Sequence, residues 1–424
     1  MHILKGYTKQ EISWMMYDWA NSAHSVIIVT LLPIFFDTVA GYTADSVSSM
    51  STWGYATSIA MLIVALAAPF LGVFGDIRGM RKKLFSFFML LGVAACAGMA
   101  FTPGMDFTSG PVAAGKVASL ILVLYIVSVI GFDASAIYYD AFLTDVTIED
   151  RMDKVSTMGY GLGYIGGSTI PLLIFLIMNL VGVPMLTCLA FVFGLTAVWW
   201  LAFSLPLLKN CEQTSGKPYE KGDVARSIKG VGTTIKEIIA NKPMLIYILS
   251  YFFYIDGVHT VISMATTYGP SLGLDPTGMM LALLLVQILG LPFCLLYIKC
   301  SEKFGARTMV GFGICVYMFI CIFAFFMNSL WQFWVLAVIV GMFQGGVQAL
   351  SRSHFAKIIP PEKSGEYFGL FDICGKGASF LGTMIVSVGS QLTGSANVGV
   401  GSLIVLFIVG FVLFRVSFRQ GETV

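Results

Sequence analysis

Twelve apolar runs, each long enough to cross a lipid bilayer as a helix, constrain this chain more than any other feature. They lie at 12–36, 51–74, 84–102, 115–143, 155–180 and 184–208, then at 243–268, 277–299, 308–328, 331–352, 365–391 and 398–418. About 20 residues suffice, because a helix rises about 1.5 Å per residue through a hydrocarbon core about 30 Å thick. The runs are about twice the length of a membrane β-strand and do not alternate, which excludes a barrel. Only 11% of the 424 residues are charged, against roughly a quarter in soluble domains, so a cytosolic enzyme is excluded as well. The expectation is an all-α integral membrane protein of twelve transmembrane helices in two pseudo-symmetric six-helix bundles.

An even number of spans puts both termini on one side, and the basic residues choose that side. With the N-terminus inside, 23 of the 25 Lys and Arg fall in inner segments; the exceptions are Lys116, at the outer start of a span, and Lys376, within one. The loops at 37–50, 269–276 and 392–397 carry none. Inner loops hold the excess of Lys and Arg, so both termini are expected in the cytoplasm, with the plasma (inner) membrane as the default location. Residues 1–10 are polar and run straight into a full-length span, unlike a cleavable signal peptide. Neither end carries a lipidation motif.

One long loop, 209–242, separates the two sets of six spans. Within it Val224, Ile228, Val231, Ile235 and Ile238 recur at helical spacing opposite Arg226, Lys229 and Lys236. That pattern suits a helix lying on the inner membrane surface, as a plain tether or as a regulatory element. The expected division is a first bundle over 1–208, a linker over 209–242 and a second bundle over 243–424.

The two halves share local patterns, as duplicated transporters do. Asp18 is followed three residues later by Asn21, near the inner end of span 1, and Asp256 by His259 in the middle of span 7. The loop after span 2 runs Asp76-Ile77-Arg78-Gly79-Met80-Arg81, and the loop after span 8 runs Glu302-Lys303-Phe304-Gly305-Ala306-Arg307. Acid, Gly and Arg keep the same spacing in both.

Glycines at 159, 161, 163, 166 and 167 crowd span 5. No strand precedes them, so they read as a surface for close helix contact and not as a phosphate loop. Pro33, Pro69, Pro171 and Pro292 are expected kinks, and Trp14, Trp331 and Trp334 are expected in interfacial belts. The eight cysteines are scattered without a C-x-x-C pair, so neither a disulfide nor a metal site is expected. The four histidines are equally dispersed, with no H-E-x-x-H or G-x-S-x-G.

Several stretches carry a resemblance. Gly72-Val73-Phe74-Gly75-Asp76-Ile77-Arg78-Gly79-Met80-Arg81-Lys82 is similar to the loop 2–3 signature of the major facilitator superfamily, with the first basic residue displaced by one and Met80 in place of the second. Tyr17-Asp18-Trp19-Ala20-Asn21-Ser22-Ala23, Tyr139-Asp140-Ala141-Phe142-Leu143 and Asp256-Gly257-Val258-His259-Thr260-Val261-Ile262 narrow the match. So does Gln348-Ala349-Leu350-Ser351-Arg352-Ser353, read together with Gly369-Leu370-Phe371 and Gly375-Lys376. Together they resemble the autophagy-related vacuole effluxer family of that superfamily, over nearly the whole chain. The resemblance implies the major facilitator fold, a central cavity lined by spans 1, 4, 7 and 10, and an amino-acid-like substrate. A vacuolar membrane would apply to a fungal source.

Charges buried in a bilayer cost about 2.5–3.5 kcal/mol each on insertion scales, so each one asks for a reason. Asp18, Asn21, Asp133, Asp256, His259, Gln344, Gln348, Asp372 and Lys376 are the candidates for binding substrate or protons. Asp256 lies at mid-depth of span 7 and could exchange a proton when water reaches it from either side, contact a substrate ammonium, or simply pack. His259, one turn away, ordinarily titrates near neutrality. Asp372 and Lys376 are an i, i+4 pair; the pair is structural, or the ammonium is loose enough to take a substrate carboxylate. Asp76, Arg78, Gly79, Arg81, Asp140 and Arg352 are the candidates for a cytoplasmic gate that breaks and re-forms.

The leading expectation is a secondary transporter that moves an amino acid or similar zwitterion by proton-coupled alternating access. It would act as a monomer in the lipid bilayer, without cofactor, metal or nucleic acid. Export of amphiphilic compounds or transport of an organic anion is the alternative. A transport-fold receptor or an intramembrane enzyme is more remote, because no nucleophile, metal set or acid–base pair converges.

Overall fold

The computed structural model describes residues 4–43, 46–216, 223–377 and 379–421. The first six spans are Lys9–Ala40, Ser46–Gly75, Arg81–Met99, Pro111–Ala141, Glu149–Leu180 and Met185–Asn210. A helix at Asp223–Ala240 occupies the linker. Spans 7 to 10 follow as Lys242–Ser271, Pro276–Phe304, Ala306–Phe325 and Leu330–Ile358. Span 11 is described as Ser364–Gly377 and Ser379–Thr393, and span 12 as Ala396–Gly401 and Ile404–Gly421. Eleven helices among the described residues are long and apolar enough to cross a membrane.

Most helices overrun their apolar runs, because polar residues at the ends have local reasons to stay helical. Span 1 starts at a capping box: Thr8 accepts from the Glu11 N–H, and Glu11 accepts from the Thr8 N–H. The two side chains satisfy donors that the first helical turn leaves without partners.

Polarity is distributed inside out. Leu62, Leu66, Phe87, Val123, Phe312 and Ile408 stand exposed, whereas His24, Asp133, Asp256, Gln344 and Arg352 are buried. Lipid solvates the former as well as a protein core would, so the interior is where hydrogen-bonding groups find partners.

The span 5 glycines pack as expected. A Cβ on Gly163 would come within 3.0 Å of the Asp18 carbonyl oxygen, and one on Gly167 within 2.6 Å of the Trp19 oxygen. A Cβ on Gly161 would meet Leu291 and Cys294 of span 8 at 3.0 Å. Just beyond, Tyr164–Thr169 forms a π-helical turn ahead of Pro171. Proline lacks the N–H that would continue the α-helical ladder there.

Trp14 corrects an expectation. It does not belong to an interfacial belt: its indole N–H donates to the Tyr139 carbonyl at 2.8 Å, and the ring stacks on Tyr139 with centroids 4.4 Å apart. Both rings are buried. Trp331, by contrast, is 64% exposed.

The two halves meet most closely at the end of the molecule that carries the basic loops, called here the basic face. Spans 2 and 11 touch there through glycines, with a Cβ on Gly72 reaching 2.1 Å from the Gly365 oxygen and one on Gly369 reaching 2.4 Å from the Ala68 oxygen. Ser364–Gly377 packs on span 2, whereas Ser379–Thr393 packs chiefly on its own half.

Candidate functional site

Two polar networks cross between the halves at the basic face. The first is built around Asp76, which follows the last residue of span 2. Its carboxylate accepts from the backbone N–H of Gly365 at 2.7 Å and of Glu366 at 2.8 Å, and from Arg81 Nη2 at 2.9 Å. Gly365 and Glu366 open the helix of span 11, so a carboxylate from the first half supplies what the helix N-terminus of the second half lacks. Burial pushes the Asp76 carboxyl up to about 7, against the opposing pull of Arg81 and the two amides.

Arg81 is completely buried, and both of its terminal nitrogens are bonded. Its guanidinium donates to Asp76, to Asp145, to the Ala141 oxygen at 3.0 Å and to Ser364 Oγ at 2.7 Å. The linker closes the same knot. Gln213 Oε1 accepts from the Gly79 N–H at 2.9 Å, while Thr214 and Ser215 donate to Asp145 Oδ1. Gly79 earns its place by conformation, with φ at +80°. Arg78, expected in this gate, is exposed; the described bonds of the knot come from Arg81. The matching loop of the second half does not repeat the knot, since Glu302 and Arg307 are both exposed.

The second network surrounds Arg352 of span 10. Its Nη1 donates to Asp140 at 3.1 Å and its Nη2 to Asp18 at 3.2 Å. Ser156 of span 5 accepts from Nε through its hydroxyl at 2.9 Å and from Nη2 through its carbonyl at 3.1 Å. Trp14 and Tyr160 cover the guanidinium at 4.7 and 4.4 Å. A buried arginine survives in an apolar interior only when its donors are satisfied in this way. Alongside, Asp153 accepts from Ser353 at 2.6 Å and from Lys357 at 2.7 Å, again from one half to the other.

The remaining candidates lie apart. Asp256 is fully buried, and its Oδ1 accepts from the Gly382 N–H at 3.0 Å and from Thr260 at 3.2 Å. Its Oδ2 has no hydrogen-bond partner among the described residues. His259 turns elsewhere, its Nδ1 lying 3.2 Å from the Gly375 oxygen and its Nε2 3.4 Å from Gln348 Oε1. Gln348 in turn donates to the Gln344 carbonyl at 3.1 Å. Asn21 and Asp133 are buried in the first half, and Asp372 is half-buried. The Lys376 side chain lies outside the described residues, and with it the Asp372–Lys376 pair.

A cavity of about 90 Å³ opens between spans 7, 8, 9, 10 and 12 on the side away from the basic face. Val261, Met264, Tyr268 and Phe333 give it apolar walls, and Gln287 and Gln344 are its amides. Gln287 Oε1 and Gln344 Nε2 are buried without a hydrogen-bond partner among the described residues.

Sequence reasoning missed Glu11, Asp145, Asp153, Ser156 and Gln213. Glu11 was signalled by the T-x-x-E capping spacing; it also takes Arg151 at 2.7 Å and Thr147 at 2.7 Å. The others sit in polar loops or span ends, where an acid or amide raises no alarm.

Solved structures of the same outline place this architecture. The proton:xylose symporter XylE bound to 6-bromo-6-deoxy-D-glucose superposes with a TM-score of 0.72 at 16% identity, over 97% of this chain and 94% of that one. The human organic anion transporter MFSD10 gives 0.67 at 15% identity, over 96% and 99%. An MFS-type transporter of Bacillus subtilis (strain 168), the uncharacterized YxiO, is 41% identical over 99% of this chain and 97% of its own length. The fold and the relatives therefore define a transporter of the major facilitator superfamily, a multi-pass membrane protein and not an enzyme.

Within that class, the chain belongs to the Atg22-like vacuole effluxer family, whose description "Vacuole effluxer Atg22 like" matches residues 7–423. Autophagy-related protein 22-1 of Aspergillus niger is 26% identical over 55% of this chain, which spans 42% of that fungal protein.

Proposed function

We propose that this transporter moves a small zwitterion such as an amino acid by proton-coupled alternating access, with its basic face and both termini in the cytoplasm of a plasma membrane. The bundles over 1–208 and 243–424 rock about the site, tied by the linker over 209–242. The Asp76 and Arg352 networks hold the basic face shut in this state, which leaves the opposite side to admit solute. Breaking both exposes the site to the cytoplasm.

The observation that carries the coupling is Asp256, a buried carboxylate with one oxygen bonded and the other without a partner among the described residues. That second oxygen offers a place for a proton, and a carboxylate at this depth suits a substrate ammonium. Proteoliposomes loaded with unlabelled amino acids test the reading. Wild type should accumulate labelled substrate under an imposed proton gradient, whereas Asp256→Asn should keep counterflow exchange and lose the gradient response. Accumulation that the variant retains would remove Asp256 from coupling. An absence of uptake for every zwitterion would remove the substrate class.

The apolar cavity beside Gln287 and Gln344 favours a second reading, transport of an amphiphilic solute. It bears no formal charge among its described lining residues, so a neutral or weakly polar compound would fit it better than a zwitterion.

A further inference from the structure

We infer that the groove between spans 9 and 12 at the basic face holds the headgroup phosphate of an anionic phospholipid. The groove has a volume of about 530 Å³. Arg307, on the first turn of span 9, and Arg415, on the last turns of span 12, are its charged lining residues, and both are exposed. Thr308 adds a hydroxyl, and Phe312, Cys315 and Phe411 form the wall that runs from them toward mid-membrane. Arg307 lies over the Phe418 ring at 4.0 Å, which fixes its guanidinium at the mouth.

The surroundings identify the occupant. Span 9 presents Phe312, Phe319 and Ile322, and span 12 presents Val405, Ile408 and Val412, all between 47% and 55% exposed. Such a surface is solvated by acyl chains, so the groove is a place where a lipid already stands. Arginine matches phosphate oxygens in two-pronged geometry, and basic pockets between helices on the cytoplasmic side take anionic headgroups. A lone arginine at a span end needs only to snorkel to the interface. Two from different helices facing one groove, with a hydroxyl between aromatic walls, make a binding site. A zwitterionic headgroup carries its own ammonium against the pair and is the poorer ligand.

A second groove of about 220 Å³ continues from Arg307 and Phe418 past His354 and Ser417. It adds no acidic lining residue among those described and extends the reach of a headgroup with more than one phosphate.

Native mass spectrometry of the full-length protein, released from nanodiscs of phosphatidylglycerol, cardiolipin and phosphatidylethanolamine in equal amounts, tests the assignment. Wild type should retain anionic lipid over the zwitterionic lipid by roughly tenfold or more, since each basic side chain at the surface favours anionic lipid several-fold. R307Q/R415Q should bring the ratio close to one, and the single variant R415Q, at an exposed position, should lie between. K82Q/K83Q, basic residues of the first half, should leave the ratio unchanged. Equal retention of both lipid classes by wild type, or an anionic preference that survives R307Q/R415Q, would overturn the site. Thermal stabilisation by inorganic phosphate that matches that by anionic lipid would overturn the lipid as occupant.

Discussion

At the scale of the residue, Asp76, Arg81, Asp18 and Arg352, all buried at the basic face, each take a partner from elsewhere in the sequence. Arg352 shows the physics. It was legible in the sequence as a misplaced charge and grouped with Asp140 in the gate, but its bonds to Asp18 and Ser156 were not. Removing the guanidinium leaves Asp18 and Asp140 facing each other in a buried space. We therefore expect R352Q to lower the free energy of unfolding by about 3–5 kcal/mol, the usual cost of orphaning a buried partner, measured by equilibrium denaturation in mild detergent. A loss below about 1 kcal/mol would mean that the cluster is open to water. Arg78 and Arg81 carry the complementary lesson. A motif gives the composition of a loop, while the turn at Gly79, with its positive φ, decides which arginine points inward.

At the scale of the element, glycine placement sets how closely helices approach. The span 5 glycines announced themselves by spacing. The seam between spans 2 and 11 did not, because Gly72 and the Gly365/Gly369 pair lie in different halves and nothing in either run says that they face each other. Gly369→Ala would drive a methyl group into the Ala68 carbonyl and wedge the halves apart. Overpacking of this kind costs about 1–3 kcal/mol, and here the cost falls on the closed basic face, not on either bundle. Spin labels at exposed Lys83 and Glu302, in opposite halves, should report a longer distance gaining population in G369A. Gly232→Ala is the control, since Gly232 lies exposed on the linker helix with no atom within 4 Å of a new Cβ. It should leave that distance unchanged and strengthen its helix by about 0.5–1 kcal/mol.

At the scale of the whole molecule, the closed basic face is a state with its own proton affinity. Asp76 is pushed up to about 7 by burial when the face is closed, and an opened face would return it to water and toward its ordinary value of 3.8. Between those values the closed form binds the extra proton, so lowering the pH from 7 toward 4 favours closure and raising it through 7 disfavours it. The Lys83–Glu302 label distance should shorten as pH falls through that window, and D76N should flatten the response. A distance that lengthens on acidification would reverse the sign and point to another group. The linker takes part at this scale as well. Gln213 and Ser215 bind the loops of the first half, while Glu237 binds Lys363 of the second at 2.6 Å.

The sequence by itself determined the number of spans, the face that carries the basic loops and the short list of residues that need explaining. Those follow from transfer free energies, which are local properties and sum along a chain. Only the tertiary structure decided the partners. Asp76 meets Gly365 across 289 residues and Arg352 meets Asp18 across 334. Such meetings depend on how two bundles tilt and how deeply glycines let them approach, and no window of sequence contains that information. Trp14 marks the boundary between the two. Its position near a span end suggested an interfacial belt, but the packing of Tyr139 and Arg352 around its ring made it part of the core.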